Sequence, residues 1–393
     1  MEKCIISEAC TINPPKIVPL SSGEAISFIP MDAVSTDGTV DLVRTISVGQ
    51  IKNYSCFQNG DVLFAKITPC MENGKGAVVS NLQNGYGAGS TEFIVLRPNV
   101  DLQSAKWLFY YLSQKPLRMW LRNHMTGSAG QKRVPPKFLA QQTIPLPSLP
   151  EQQRIVFRIE ELFSQLDSGV ETLRKTKQQL AVYRQAVLKE AFSDLQEKRP
   201  IREVSSIVTS GSRGWAQYYA DNGARFIRIT DLTRDRILLK NDSIQYVDLP
   251  ESVEGKRSRL LADDVLISIT ADLGSIALVP KNIPEAYINQ HIAMVRFHNT
   301  NQGEFMAWYL KSEHGQKDLL KNKRGGGKLG LGLDDIRDTP VPVVDDEKAN
   351  KIIELIDRRL SICDSIEQTV DAALQQAEAM RQSILKQAFE GEL

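Results

Sequence analysis

The segment Lys66-Ile-Thr-Pro-Cys-Met-Glu-Asn-Gly-Lys75 sets two ammonium groups, a hydroxyl and a carboxamide around a proline and a glycine, directly after an apolar run that reads as a strand. These groups suit nucleic acid. Amides match adenine edges, Lys and Arg match guanine, and Thr reaches base edges or phosphate. Lys66, Thr68, Asn73 and Lys75 are therefore candidates for DNA contact. The loop Gly127-Ser-Ala-Gly-Gln-Lys-Arg133 follows a basic helical stretch and adds Gln131, Lys132 and Arg133. Flexible basic loops suit phosphate contact and entry into a groove. Its later counterpart, Lys323-Arg-Gly-Gly-Gly-Lys328, brings Lys323, Arg324 and Lys328.

Chemistry of other kinds finds little support. There is no G-x-x-x-x-G-K-[ST] phosphate loop. Gly85-Tyr-Gly87-Ala-Gly89 does not lead from a strand into a helix, as a dinucleotide site requires. His124, His291, His298 and His314 show no metal spacing, and the five cysteines form no C-x-x-C pair, so free thiols are expected. Asn13-Pro14-Pro15-Lys16 is similar to the Asn-Pro-Pro-aromatic motif of adenine-N6 methyltransferases, but the aromatic is missing; it reads as a polar turn. Glu254-Gly255-Lys256 has the E-x-K form of some metal-dependent nucleases but no apolar strand to hold it.

The elements that must position these loops are duplicated. Arg184-Gln-Ala-Val-Leu-Lys-Glu-Ala-Phe192 and Arg381-Gln-Ser-Ile-Leu-Lys-Gln-Ala-Phe389 are identical at six of nine positions. At the same offset Asp167 meets Asp364 and Ile159 meets Ile356. Asp61-Val-Leu-Phe-Ala-Lys-Ile-Thr68 resembles Asp264-Val-Leu-Ile-Ser-Ile-Thr270 more weakly. Through this repeat Arg213, Trp215 and Thr270 join the second set of DNA-contact candidates. Leu166, Leu173, Leu180 and Val187, with Phe163 and Val170, form a heptad seam; Leu360, Cys363, Val370, Leu374, Ala377 and Ile384 form another. Neither helix could bury its stripe alone, so an antiparallel pair is expected. In the two halves outside these helices, short strands (Asp61–Ile67, Gly76–Val79, Glu92–Leu96, Arg225–Ile229, Val265–Ile269, His291–Phe297) and helical runs over Ala105–Arg122 and Glu304–Leu320 do not alternate regularly.

The expected fold class is thus α+β. Two mixed domains, 1–147 and 196–343, are separated by helical segments 148–195 and 344–393 packed as an antiparallel coiled coil, with a pseudo-two-fold internal repeat. Net charge is +1, yet Lys115, Arg118, Arg122, Lys132, Arg133 and Lys137 cluster without acidic neighbours, and a second basic run spans 311–328. No apolar stretch approaches a membrane span and the N-terminus lacks a signal-peptide run, so a cytoplasmic location is expected.

At this point the chain resembles the specificity subunit of type I restriction–modification systems. The resemblance rests on Phe64–Lys75, on the Gly127–Pro135 loop, on Leu149-Pro-Glu-Gln-Gln-Arg-Ile155 opening a long helix, and on the terminal Ile384–Leu393. It implies two target recognition domains, each reading half of a split DNA site, and helices that set the spacer and dock two methylation subunits, which restriction subunits then join. It also implies that the chain has no catalytic residues, metal or cofactor of its own, S-adenosylmethionine being expected on the methylation subunits. The second half lacks the Thr-Pro-Cys run, which implies an asymmetric site. The alternatives are a degenerate DNA methyltransferase or nuclease, and a coiled-coil protein adaptor.

Overall fold

The computed structural model describes residues 2–16, 18–41, 43–128, 130–211, 213–250, 257–321 and 330–393. The chain divides into two compact units, one of residues 1–173 with 372–393 and one of 174–371.

In the first unit, a four-stranded sheet runs in the order Cys10–Ile12, Phe93–Pro98, Val62–Ala65, Gly76–Val78. A second sheet runs Arg44–Ser47, Ala25–Ile29, Tyr86–Gly89, Ser55–Gln58, with Ala25–Ile29 and Tyr86–Gly89 parallel. The strand Val62–Ala65 is buried at every position. Successive strand residues face opposite sides of a sheet, so an unbroken apolar run serves two cores. Val62 and Phe64 join Ile94, Leu96 and Trp107 on one side, while Leu63 joins Ala77, Phe93 and Val95 on the other.

The second unit repeats the plan. Ser205–Ser210, Ile292–Phe297, Val265–Ser268 and Ile276–Leu278 form one sheet in that order, and a parallel contact again appears in the other, between Ala224–Ile227 and Ala286–Ile288. Val265 and Ile267 face one core with Ala293 and Val295, and Leu266 faces another with Ala277 and Met294.

A buried ion pair closes the same strand turn in both units. Arg97 donates to both oxygens of Asp61 at 2.8 Å, and Asp61 also accepts from the Gln58 amide at 2.8 Å. Arg296 donates to both oxygens of Asp264 at 2.7 Å, and Asp264 accepts from the Leu261 amide at 2.7 Å. Each aspartate is 1% exposed. Bidentate geometry plus a backbone donor satisfies carboxylates that would otherwise be costly to bury.

The helical runs expected over Ala105–Arg122 and Glu304–Leu320 are each two helices. The first is Ala105–Leu112 followed by Lys115–Asn123. Gln114 between them adopts extended backbone, and Pro116 falls in the first turn of the new helix, where its missing amide hydrogen costs nothing. The second is Gly303–Lys311 followed by Glu313–Leu319. Here Ser312 adopts extended backbone and its hydroxyl accepts from the Gly315 amide, an N-cap for the new helix.

The long helices are Leu149–Ala191 and Asp346–Glu390. Asp345 caps the second by accepting from the Lys348 amide at 2.7 Å. Within each unit the two helical stretches run antiparallel along the expected seams. In the first unit Ile155, Val156 and Ile159 share a core with Leu385, Ala388 and Phe389. In the second Val187 and Leu188 share one with Ala349, Ile356 and Leu360. The sequence repeat appears as reciprocal contacts. Arg184 pairs with Asp364 at 2.6 Å in the second unit, and Arg381 pairs with Asp167 in the first. Phe192 meets Phe305 and Tyr309, each at 5.5 Å between ring centres, while Phe389 meets Trp107 at 4.4 Å and Tyr111 at 5.4 Å.

Candidate nucleic-acid interface

The two loops chosen from the first half are neighbours. The Thr68 amide donates to the Lys132 carbonyl at 3.0 Å, and the Val134 amide donates to the Lys66 carbonyl at 2.9 Å. Ile67 and Arg133 form an antiparallel bridge, and Arg133 bridges in turn to Thr126. Three short segments thus lie side by side, so their side chains emerge together. A cleft of about 560 Å³ opens beside them, lined by Thr68, Glu72, Arg122, Asn123, Met125, Gly130 and Lys132.

The candidates divide into those that face outward and those that hold the site. Asn73, Gln131 and Lys132 are exposed, and Thr68 is half-buried with its hydroxyl 3.8 Å from the Met125 sulfur. Arg133 instead forms a fork with Glu92, at 2.8 and 2.9 Å. The Arg133 bond, with further help from the Lys66 charge, holds the Glu92 carboxyl below its ordinary range against the effect of burial. Lys75 donates to the Met31 carbonyl at 3.1 Å, so its ammonium is engaged within the domain. Arg122 and Asn123 were not singled out as contacts, although both end the basic helix that leads into the Gly127 loop. Arg122 lies 3.5 Å from Glu72, whose second oxygen is buried and has no hydrogen-bond partner among the described residues.

In the second half the bridge recurs, with a different register from the one expected. Thr270 bridges to Gly330, and the Leu331 amide donates to the Ile269 carbonyl at 3.0 Å. Ile269 therefore stands where Lys66 does, and Thr270 takes the place of Ile67 rather than Thr68. Likewise the Lys66 amide donates to Glu92 and the Ile269 amide to His291, both at 2.9 Å, so His291 replaces Glu92. The Gln290 side-chain nitrogen lies 2.9 Å from His291 Nε2. On the other side of the ring, Nδ1 lies 2.7 Å from Thr270 Oγ1. Gly330 replaces the ion-paired Arg133.

Trp215 needs correction as a contact residue. It is 5% exposed and packs on Phe226 and Tyr287 at 5.5 and 5.6 Å, so its ring belongs to the domain core. Burial of a large aromatic surface outweighs its presentation to a partner. Arg213 stands exposed on the turn before it. Lys323, Arg324 and Lys328 lie outside the described residues, as do Glu254 and Lys256. Asn13 is structural: its side-chain oxygen accepts from the Val95 amide at 3.1 Å and its φ is +49°. Among the described residues no cluster of three or more His, Cys, Asp or Glu could hold a metal ion. None of the described helices is long and apolar enough to cross a membrane.

Each half is thus an α+β domain joined to a long helix, and in the first half two bridged loops lie beside a cleft. The family model for the type I restriction modification DNA specificity domain matches twice, over residues 22–181 and 197–376, and the chain belongs to that family. It is 43% identical to the EcoAI specificity subunit of Escherichia coli over 164 residues, 41% of this chain and 28% of that one. It is 25% identical to the EcoBI specificity subunit of Escherichia coli over 301 residues, 69% of this chain and 62% of that one. The match thus spans less than a third of the first relative's length and under two thirds of the second's. A solved structure of a type I restriction–modification system contains a chain with the same fold, with a TM-score of 0.78 at 20% identity, covering 100% of this chain and 98% of that one.

Proposed function

We propose that this chain is the DNA-recognition subunit of a type I restriction–modification complex, and that it has no catalytic activity of its own. Each domain reads one half of a bipartite, asymmetric site in double-stranded DNA. The long helices set the spacing between half-sites and dock two methylation subunits, which carry S-adenosylmethionine; restriction subunits complete the assembly in the cytoplasm. The observation that most supports this reading is the loop pair of the first half, where Asn73, Gln131 and Lys132 are exposed beside a cleft containing Thr68 and Arg122. Amide and guanidinium groups discriminate base edges, and lysines bind phosphate.

Arg133 and Lys75, held by Glu92 and Met31, support the loops in this reading rather than touch DNA. The unlike partners of Thr270 support a second half-site of different sequence. The test is DNA binding by the assembled complex as salt is raised. Lys132→Ala should lower affinity on all sequences and flatten the salt dependence by about one released ion. Asn73→Ala should weaken preference at one half-site only. If neither variant changes binding, the protein-adaptor alternative gains. Turnover by the purified chain alone, supplied with S-adenosylmethionine or Mg²⁺ and DNA, would favour the enzyme alternative.

A further inference from the structure

The loop 66–75 is held from beneath by a buried cation. Arg118 is 6% exposed. Its Nε donates to the Leu112 carbonyl at 2.9 Å, where the preceding helix ends, and its Nη1 donates to the Met71 carbonyl at 3.0 Å, inside the loop. The guanidinium carbon sits 5.7 Å from the Phe64 ring centre. Burial pushes its pKa down to about 10, which still leaves it charged at neutral pH. Gly74, with φ +94°, lets the loop approach; a Cβ there would come within 2.9 Å of Nη1.

The second half makes the same connection with a neutral side chain. Gln316 Nε2 donates to the Gly274 carbonyl at 2.9 Å and to the Leu310 carbonyl at 2.7 Å. Gly274 has φ +80°, and a Cβ there would collide with the Gln316 side-chain oxygen. Each half therefore ties its loop to the end of the neighbouring helix through one side chain, passing beneath one left-handed glycine. The side chains differ in length and charge.

We propose that Arg118 and Gln316 are positioning residues that set where each loop presents its contact groups, so that the specificity of each half depends on a residue that touches no DNA. This rests on the reading of the loops as DNA contacts. The physical reason is leverage. Met71 is fully buried, and its carbonyl is fixed by Arg118; Glu72 at the cleft and exposed Asn73 follow directly. Hydrogen bonds to a base edge tolerate displacements of only a few tenths of an ångström before they weaken. A rigid guanidinium fork holds a carbonyl at a defined distance, and a shorter amide holds it closer.

The test uses the complex assembled with its methylation subunits and a pool of duplexes of random sequence, from which bound molecules are selected and sequenced. Arg118→Met keeps the length and apolar packing but removes both donors. It should relax preference roughly tenfold at bases of one half-site, leave the other half-site unchanged, and leave the salt slope unchanged because no phosphate contact is lost. Arg118→Gln should recover part of the lost preference. Gln316→Ala should relax the opposite half-site. The proposal is overturned if an assembled Arg118→Met complex keeps full preference at both half-sites, or loses affinity equally on every sequence. Should Arg118→Met not assemble, Gln316→Ala alone decides, and unchanged preference at both half-sites overturns the proposal. A wild-type complex that selects no sequence would refute the DNA-reading function instead.

Discussion

In the first half Glu92 grips Arg133 beside the loop pair; in the second the same place is held by His291, which faces Thr270, with Gly330 where the arginine stands. Beneath these differences the two halves agree in backbone detail. The Asp61–Arg97 and Asp264–Arg296 pairs close the same turn, and the loops are joined by matching amide-to-carbonyl bonds. The difference teaches which parts are scaffold. The Asp–Arg pairs that satisfy buried carboxylates and the backbone bonds that join the loops are kept, because an unpaired buried group is costly. Side chains facing the cleft carry no such debt and are free to differ.

The comparison is most sharply broken at the helix ends. Phe192→Ala and Phe389→Ala should each destabilise their own unit by about 3–5 kcal/mol, the cost of removing a buried aromatic, as measured by denaturant unfolding with hydrogen exchange resolved along the chain. Equal losses confined to one unit each would support the pseudo-symmetry, and a loss in only one variant would break it. Next come Asp61→Asn and Asp264→Asn, each expected to cost about 3 kcal/mol by breaking a bidentate pair whose carboxylate is buried. A large inequality would mean that the two turns are not equivalent.

A smaller effect separates the halves. Lys311 is 5% exposed, donates to the Thr233 carbonyl at 2.9 Å, and is pushed down to about 8 by burial, with Asp235 and Asp272 raising it and Arg234 lowering it. The corresponding first-half residue is Ser113, whose hydroxyl donates to the Phe109 carbonyl. The folded form releases its proton more readily than the unfolded one. Its contribution is therefore fully present above the unfolded lysine pKa of about 10.5 and is lost as pH falls to about 8. Between pH 8 and 10.5 the wild type should gain stability relative to Lys311→Met by no more than about 3 kcal/mol, and only in the second unit. No gain would remove this asymmetry. The smallest effect is on stability from Lys132→Ala, within about 0.5 kcal/mol because the side chain is exposed; a larger loss in unfolding experiments would make Lys132 a structural residue.

Legibility followed physical range. The heptad seams were readable because helical periodicity is local, and the buried positions Leu180, Val187, Leu360, Cys363, Val370 and Ala377 fall on them. Strands such as Val265–Ser268 were readable as unbroken apolar runs. The two loops of the first half could be chosen by composition, but their adjacency comes from a bridge between residues far apart in the chain. Trp215 is a contact candidate by its position in the repeat and its chemistry; its burial depends on Phe226 and Tyr287, which only the sheet brings near. Matching Thr270 to Thr68 skips a residue, because Asp264 to Thr270 is one residue shorter than Asp61 to Thr68; the bridge to Gly330 puts Thr270 in the place of Ile67. Arg118 read as one more member of a basic surface stretch, whereas its partners are carbonyls that no pattern of side chains reveals.

The most direct test of two unlike readers on one scaffold is the set of sequences that the assembled wild-type complex selects from random duplex DNA. The account predicts two short blocks of different sequence separated by a spacer of constant length and indifferent sequence. A single block, or two blocks related as an inverted repeat, would contradict it.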